Sequence, residues 1–140
     1  MNHPVACGKP VVVVCAIIER GDTFLAALRG RGQSNAGLWE FPGGKVQAEE
    51  TPPMALRREL REELGMEAAV VRALPEVHHT YPWMVIDLVP FICTIRKGEP
   101  QPHEHAAVRW VSMSEARTLH WSPADIPVLQ SYCTIRRSPA

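Results

Sequence analysis

Residues 51–65 predict a helix with a defined start and a defined end. Thr51 offers a side-chain oxygen that can cap exposed backbone N–H groups, and Pro52 suits the first helical position. Gly65 favours the left-handed backbone conformation with which many helices end. The apolar stripe of this helix consists of leucines spaced four residues apart: Leu56, Leu60 and Leu64. Such a stripe is expected to pack against another element.

The rest of the chain predicts a β-sheet as that packing partner. Residues 11–18 form a continuous β-branched run, which is typical of a strand buried on both faces, and residues 23–29 return as its hairpin partner. A terminal helix is predicted from Ser122 as N-cap, with Pro123 first, and Pro127 is expected to kink or delay it. The other predicted elements are strands at 68–74, 77–81, 84–95 and 106–111 and a short helix at 112–118. We therefore expect a mixed α/β (α+β) fold and one domain over residues 1–140.

The composition excludes several classes of protein. The 15 basic side chains balance 15 acidic ones, so the chain lacks the positive field of a general nucleic-acid binder. No apolar run reaches the roughly 20 residues that cross a bilayer, and residues 1–4 do not resemble the start of a signal peptide. The four cysteines are scattered, and Cys15 and Cys93 lie in apolar runs that predict buried, reduced thiols. We expect a cytoplasmic protein that binds neither a membrane nor a nucleic acid polymer.

Three glutamates concentrate negative charge on one side of the predicted helix. Glu59, Glu62 and Glu63 cover an arc of about 100°, which borders the leucine stripe, so their carboxylates are expected near the packed boundary. Two of them also lie in the last helical turn, where the helix dipole disfavours acidic side chains. A compensating cation is therefore required. It is either Arg58, paired with Glu62 on a solvated charged surface, or a bound metal ion.

The segment before the helix favours the metal ion. Gly43 and Gly44 provide backbone that can approach a ligand closely, with a carbonyl group free to bind a metal. Oxygen ligands without histidine or thiolate suit Mg²⁺, for which Mn²⁺ can substitute, and these ions commonly bind substrate phosphates as well.

The stretch 44–66 resembles the Nudix box. The family signature is G-x5-E-x7-R-E-U-x-E-E-x-G-U, where U is a bulky aliphatic residue. Every fixed position is matched by this sequence, through Gly44, Glu50, Arg58, Glu59, Leu60, Glu62, Glu63, Gly65 and Met66. Segments 38–45, 103–111 and 123–127 resemble the MutT and cytidine-triphosphate pyrophosphatase branch. The resemblance implies an α/β/α sandwich around a mixed sheet that hydrolyses a nucleoside triphosphate to the monophosphate and pyrophosphate.

The resemblance also implies roles for individual residues. The metal ligands would be the three helix glutamates, the Gly44 carbonyl and Glu104, a glutamate outside the box. Either Glu62 or Glu104 would accept the proton of the attacking water. Glu50 and Arg58 would orient these groups rather than take part in the chemistry.

Several residues are candidates for contact with the nucleotide. Arg29 resembles a nucleotide-contacting arginine of MutT-like enzymes, although a surface arginine at a strand end is the alternative. Lys45 follows the glycines, and Trp83 and Phe91 lie in segments that would line a base pocket. Asp125 stands where members that read oxidised guanine commonly carry asparagine. An ionised aspartate only accepts hydrogen bonds and so favours the cytosine amine, whereas a protonated one would also suit a guanine oxygen.

These features predict a metal-dependent nucleoside triphosphate pyrophosphohydrolase that prefers cytidine nucleotides, followed by oxidised nucleotides such as 8-oxo-dGTP. Sanitising of the nucleotide pool, and thereby DNA repair, is the role that the resemblance implies. Two alternatives stay open: a Nudix hydrolase of a dinucleotide or nucleotide sugar, and a non-catalytic nucleotide-binding module of the same fold. The complete set of box glutamates disfavours the binding module. The expected partners are the small-molecule nucleotide and, at most, a second copy, so the chain is a monomer or a homodimer.

Overall fold

The described part of the chain forms a mixed eight-stranded sheet with helices on both faces. The computed structural model describes residues 9–137, so the predictions for Cys7 and for a missing leader sequence lie outside the described residues. The strands are β1 (Val11–Arg20), β2 (Thr23–Leu28), β3 (Trp39–Glu40), β4 (Gly43–Lys45), β5 (Glu67–Ala73), β6 (Val77–Tyr81), β7 (Met84–Lys97) and β8 (Ala107–Val111). The helices are α1 (Pro52–Leu64), α2 (Met113–Ala116) and α3 (Asp125–Arg137).

The sheet is built around the parallel pair β1 and β7. The strand order is β3-β2-β1-β7-β5, and in addition β4 pairs with β1, β6 with β7 and β8 with β2. Every pairing except that of β1 with β7 is antiparallel. Val14, Ala16 and Ile18 of β1 face the layer that contains α1, whereas Cys15 and Ile17 face the opposite layer. The prediction of a strand buried on both faces is confirmed. The thiols of Cys15 and Cys93 are buried as predicted, and burial raises the pKa of each.

Helix α1 begins and ends as the sequence predicts. The Thr51 hydroxyl accepts a hydrogen bond from the Met54 N–H at 3.3 Å, and Gly65 ends the helix with a φ of 66°. The three stripe leucines are fully buried in the layer between α1 and the sheet. On the other face, Val128 and Tyr132 of α3 are buried, so the predicted α/β/α sandwich is confirmed. No helix in the described part of the chain is both long and apolar enough to span a membrane.

The start of α3 corrects the prediction. The helix begins at Asp125 rather than at Pro123. Ser122 lies in the preceding turn, where its carbonyl oxygen accepts a hydrogen bond from the Asp125 N–H at 2.9 Å. Pro127 explains the delay, because a helix from Pro123 would need a backbone N–H at residue 127. With the later start, Pro127 lies in the first turn, where N–H groups have no helical partner.

Candidate active site

Two adjacent glycines bring strand β4 against β1 and against helix α1. A Cβ atom on Gly43 would lie 1.9 Å from the carbonyl oxygen of Val14, to which β4 is paired. A Cβ atom on Gly44 would lie 2.1 Å from Oε2 of Glu59. The absence of both side chains therefore lets the backbone of this segment reach the acidic side of α1.

Arg58 holds several of the predicted carboxylates in place. Its Nε donates to Glu50 Oε2 at 2.6 Å, and its Nη1 donates to Glu59 Oε1 at 2.8 Å and to Glu62 Oε1 at 3.1 Å. Its Nη2 also donates to the Lys45 carbonyl at 3.0 Å. The Arg58 guanidinium lowers the pKa of Glu50, and Glu50 in turn raises the pKa of Arg58. This ion-pair network links the segment before α1 to the helix itself.

The three helix glutamates differ in burial. Glu63 is 8% exposed and the Glu59 side chain 18%, but the Glu62 side chain is 51% exposed, so the expectation that all three lie at the packed boundary is wrong for Glu62. The reason is angular. At roughly 100° per residue, Glu63 lies about 60° from the centre of the leucine stripe, Glu59 about 100° and Glu62 about 160°.

Glu63 is the most perturbed carboxyl group of the helix. Its pKa is raised to about 9, first by burial and then by the charges of Glu40, Glu59 and Glu104, with a partial offset from the Gly43 backbone N–H. Its Oε1 is buried and has no hydrogen-bond partner within the described residues. Burial also raises the pKa of Glu59. A buried carboxylate with an unpartnered oxygen is poised to bind a cation.

Glu40 is a site residue that the sequence reasoning missed, and His105, which the acidic ligand set disfavours as a metal ligand, also lies in the site. His105 Nε2 donates to Glu40 Oε2 at 2.8 Å and lies 3.9 Å from Glu63 Oε2, while Arg29 Nη1 donates to Glu40 Oε1 at 2.9 Å. These residues meet because β3 and the segment before β8 both lie beside the end of β2. The signal for Glu40 in the sequence is its place inside an otherwise apolar segment, three residues before the first of the two glycines.

Glu104 lies beside the helix glutamates. It is exposed, and its charge contributes to the raised pKa of both Glu59 and Glu63. Charge effects of this kind require proximity. The structure thus brings this glutamate, outside the box, to the same edge of the fold as the box itself.

A groove of about 420 Å³ runs from the glycines to the start of α3. Four of the predicted nucleotide contacts line it, namely Arg29, Lys45, Trp83 and Asp125. Asp125 is 7% exposed and its Oδ2 accepts the Phe41 N–H at 2.8 Å. Burial, followed by the charge of Glu40, raises the pKa of Asp125.

Phe91, which the sequence also predicts to line a base pocket, does not line this groove. It is 8% exposed and packs in the layer under α1. The groove is lined by β7 residues of the other face, Ile86 and Leu88. Side chains alternate between the faces of a strand, so the odd-numbered Phe91 points away from them. Trp83, by contrast, does line the groove.

The residues present fit a hard divalent cation. The unpartnered Oε1 of Glu63 and the Glu59 carboxylate beside Gly44 are hard oxygen ligands of the kind that Mg²⁺ takes. Within residues 9–137, no three or more histidine, cysteine, aspartate or glutamate side chains are gathered closely enough to hold a metal as they stand. Arg58 instead spans Glu59 and Glu62, so metal binding requires these two carboxylates to reorient.

Comparison with known proteins identifies the family. A family model described as NUDIX domain matches residues 8–132. The chain is 42% identical over 128 residues to CTP pyrophosphohydrolase of Escherichia coli K12, covering 91% of this chain and 95% of that protein. It is 34% identical over 124 residues to 8-oxo-dGTP diphosphatase of Haemophilus influenzae, covering 86% and 90%. The solution structure of the E. coli ORF135 protein matches with a TM-score of 0.81 and 40% identity over 96% of both chains. The chain therefore belongs to the Nudix family of hydrolases.

Proposed function

We propose that this chain is a Mg²⁺-dependent nucleoside triphosphate pyrophosphohydrolase of the MutT type, which converts a triphosphate and water to the monophosphate and pyrophosphate. The observation that carries the proposal is the groove, which joins the glycine segment beside Glu59 and Glu63 to the buried Asp125. The dependence of Nudix hydrolases on divalent metal ions supports it, as do relatives named for CTP and 8-oxo-dGTP hydrolysis.

The groove gives the substrate an orientation. The phosphates lie at the end formed by Gly44 and Lys45, where the ammonium group attracts the polyphosphate. Glu59, Glu62, Glu63 and the Gly44 carbonyl would hold the metal ion, and Glu104 would either join them or accept the proton of the attacking water. When bound, Mg²⁺ neutralises phosphate charge and makes the attacking water more acidic. Arg58, through Glu50 and the Lys45 carbonyl, holds the segment before α1 against the helix.

Of the two candidates for general base, Glu104 fits better than Glu62. The Glu62 carboxylate contacts Arg58, with Oε1 at 3.1 Å and Oε2 at 3.4 Å from Nη1, and on release from Arg58 it is one of the proposed metal ligands. Within the described part of the chain, Glu104 makes no ion pair. Its exposure also leaves room for a water molecule beside it.

The base end of the groove supports cytidine nucleotides. One oxygen of Asp125 accepts the Phe41 N–H, which leaves the other for the base. In its ionised form this oxygen accepts a hydrogen bond from an exocyclic amine such as that of cytosine. The raised pKa of Asp125 also permits a protonated form, which suits an oxidised guanine as the second candidate. The cytoplasm, which holds free nucleotides and keeps thiols reduced, is the proposed location.

Pyrophosphate release from a panel of substrates tests the proposed function. With Mg²⁺, we expect the highest kcat/KM on CTP, dCTP or 5-modified relatives and a lower value on 8-oxo-dGTP. We expect little formation of nucleoside monophosphate from nucleotide sugars or dinucleotides. Chelation of the metal with EDTA should abolish the activity, and readdition of Mg²⁺ or Mn²⁺ should restore it. Activity on a nucleotide sugar alone would favour the first alternative, and binding without turnover would favour the second.

The substitution Asp125→Asn tests how the base is read. Asparagine can still accept the Phe41 N–H through its amide oxygen, and its amide group always carries donors. We expect kcat/KM on CTP to fall about tenfold or more and the ratio of 8-oxo-dGTP to CTP activity to rise roughly 10- to 100-fold. The control is Asp22→Asn, which removes one charge from a fully exposed aspartate. An unchanged substrate ratio would show that Asp125 does not read the base.

A further inference from the structure

Trp83 is a large aromatic side chain that remains half-exposed beside the groove. It lies in the tight turn between β6 and β7, just after Tyr81, and it lines the groove that also contains Asp125. Its exposed fraction is 50%, whereas Tyr81 is 7% exposed. An indole at this position presents apolar surface to any molecule that enters the groove.

Tyr81 fixes the orientation of the Trp83 ring. The two rings are stacked, with centroids 4.8 Å apart and an interplanar angle of 12°. Tyr81 is itself anchored, because its Oη accepts the Ala124 N–H at 3.0 Å and its ring packs edge-on against His79 at 4.4 Å. One face of the indole is therefore covered by a ring that is tied to the residue preceding Asp125.

We propose that Trp83, supported by Tyr81, is the platform on which the nucleobase of the substrate stacks. The proposal rests on the proposed function and deepens it, by assigning the face of the base to Trp83 and its edge to Asp125. Stacking does not distinguish bases, because every base has an aromatic face. Trp83 thus contributes affinity for any nucleotide, whereas Asp125 selects among them.

Kinetics of Trp83 variants provide the first test. Base stacking on an aromatic side chain contributes to the binding free energy of a nucleotide, so Trp83→Leu should raise KM by roughly 5- to 100-fold. Its kcat should stay within about threefold of the wild-type value. The rise should be similar for cytidine, uridine and purine triphosphates. Trp83→Phe retains a ring and should recover most of the affinity. The control is Trp110→Leu, because Trp110 packs on the α1 face under the Arg20 guanidinium, away from the groove.

Fluorescence provides a second test that does not depend on turnover. CMP, titrated in the presence of EDTA, should quench the tryptophan emission of the wild type and of Trp110→Leu in a saturable manner. The same titration of Trp83→Leu or Trp83→Phe should show no saturable quench. Because Trp83→Phe is a conservative change, it keeps this test usable if Trp83→Leu fails to fold.

The outcomes separate the platform from the proposed function. An unchanged KM in Trp83→Leu would overturn the platform, even if the enzyme releases pyrophosphate. So would quenching by CMP that is as strong in the Trp83 variants as in the wild type. A loss confined to one base would also overturn it, since stacking acts on all bases. Saturable quenching that requires Trp83, in a protein that hydrolyses no triphosphate, would support the platform and refute the proposed function.

Discussion

Replacement of Glu63 with glutamine is expected to lower kcat on the preferred triphosphate by about a thousandfold or more. Glu63 carries the buried oxygen that has no hydrogen-bond partner within the described residues, and its charge is the feature that a metal ion would compensate. Glutamine has nearly the same shape but no charge, so it removes metal binding without leaving a cavity. Pyrophosphate release at saturating substrate and Mg²⁺ measures the effect.

The matched control is Glu67→Gln, which makes the same change four residues later at an exposed position at the start of β5. It should keep wild-type kcat. If Glu63→Gln retained more than a tenth of the wild-type turnover, the assignment of Glu63 as a metal ligand would be refuted.

The same variant should be more stable than the wild type in metal-free buffer at alkaline pH. The pKa of Glu63 rises from 4.5 to about 9 on folding, so the ionised carboxylate opposes folding. Below pH 4.5 the group is protonated in both states and no penalty exists. The penalty grows as the pH rises towards 9 and reaches up to about 3 kcal/mol at pH 7. Thermal unfolding should therefore show a higher Tm for Glu63→Gln at pH 8 but nearly equal values at pH 4. Added Mg²⁺ should raise the Tm of the wild type alone.

Substitution of alanine at two adjacent glycines should have different consequences, a loss of stability at Gly43 and a loss of activity at Gly44. In Gly43→Ala the new Cβ meets backbone atoms of the central strand, Val14 O at 1.9 Å and Cys15 Cα at 2.7 Å. These atoms cannot move without disturbing the β1–β4 pairing, so we expect a loss of about 3 kcal/mol or more and a Tm lower by about 10 °C or more. Circular dichroism melts measure it.

In Gly44→Ala the new Cβ meets the end of the Glu59 side chain, which can rotate away. The fold should persist with a nearly unchanged Tm, whereas kcat/KM should fall roughly 10- to 100-fold and the Mg²⁺ concentration for half-maximal activity should rise. Gly30→Ala is the control, because its Cβ would have no neighbour closer than 3.8 Å. A stable Gly43→Ala, or a fully active Gly44→Ala, would contradict the account of the close approach.

The features that were predictable from the sequence are local ones. Helix α1 was predicted from end to end because its caps and its leucine spacing lie within 15 consecutive residues. Strand β1 was predictable because an uninterrupted β-branched run is compatible with burial on both faces. The Nudix box was recognisable for the same reason, since its fixed positions occupy one loop and one helix.

The features that were missed or wrong depend on contacts between distant segments. Glu40 and His105 are 65 residues apart, and they meet because β3 and the approach to β8 lie beside the same strand. Trp83 and Phe91 are both aromatic residues of the β6–β7 region. Which of them lines the groove depends on the face of β7 to which Phe91 points and on the position of the turn that carries Trp83.

The sequence by itself determined the family, the helix that carries the acidic residues and a strand that is buried on both faces. The side-chain pattern of a helix or a strand repeats within a few residues, so a short stretch of sequence is sufficient to specify these elements. Only the tertiary structure decided that Glu40 and His105 meet beside Glu63, and that Trp83 rather than Phe91 lines the groove. Burial and electrostatic environment are set by which segments pack together in space, and this packing determines how each carboxyl group ionises.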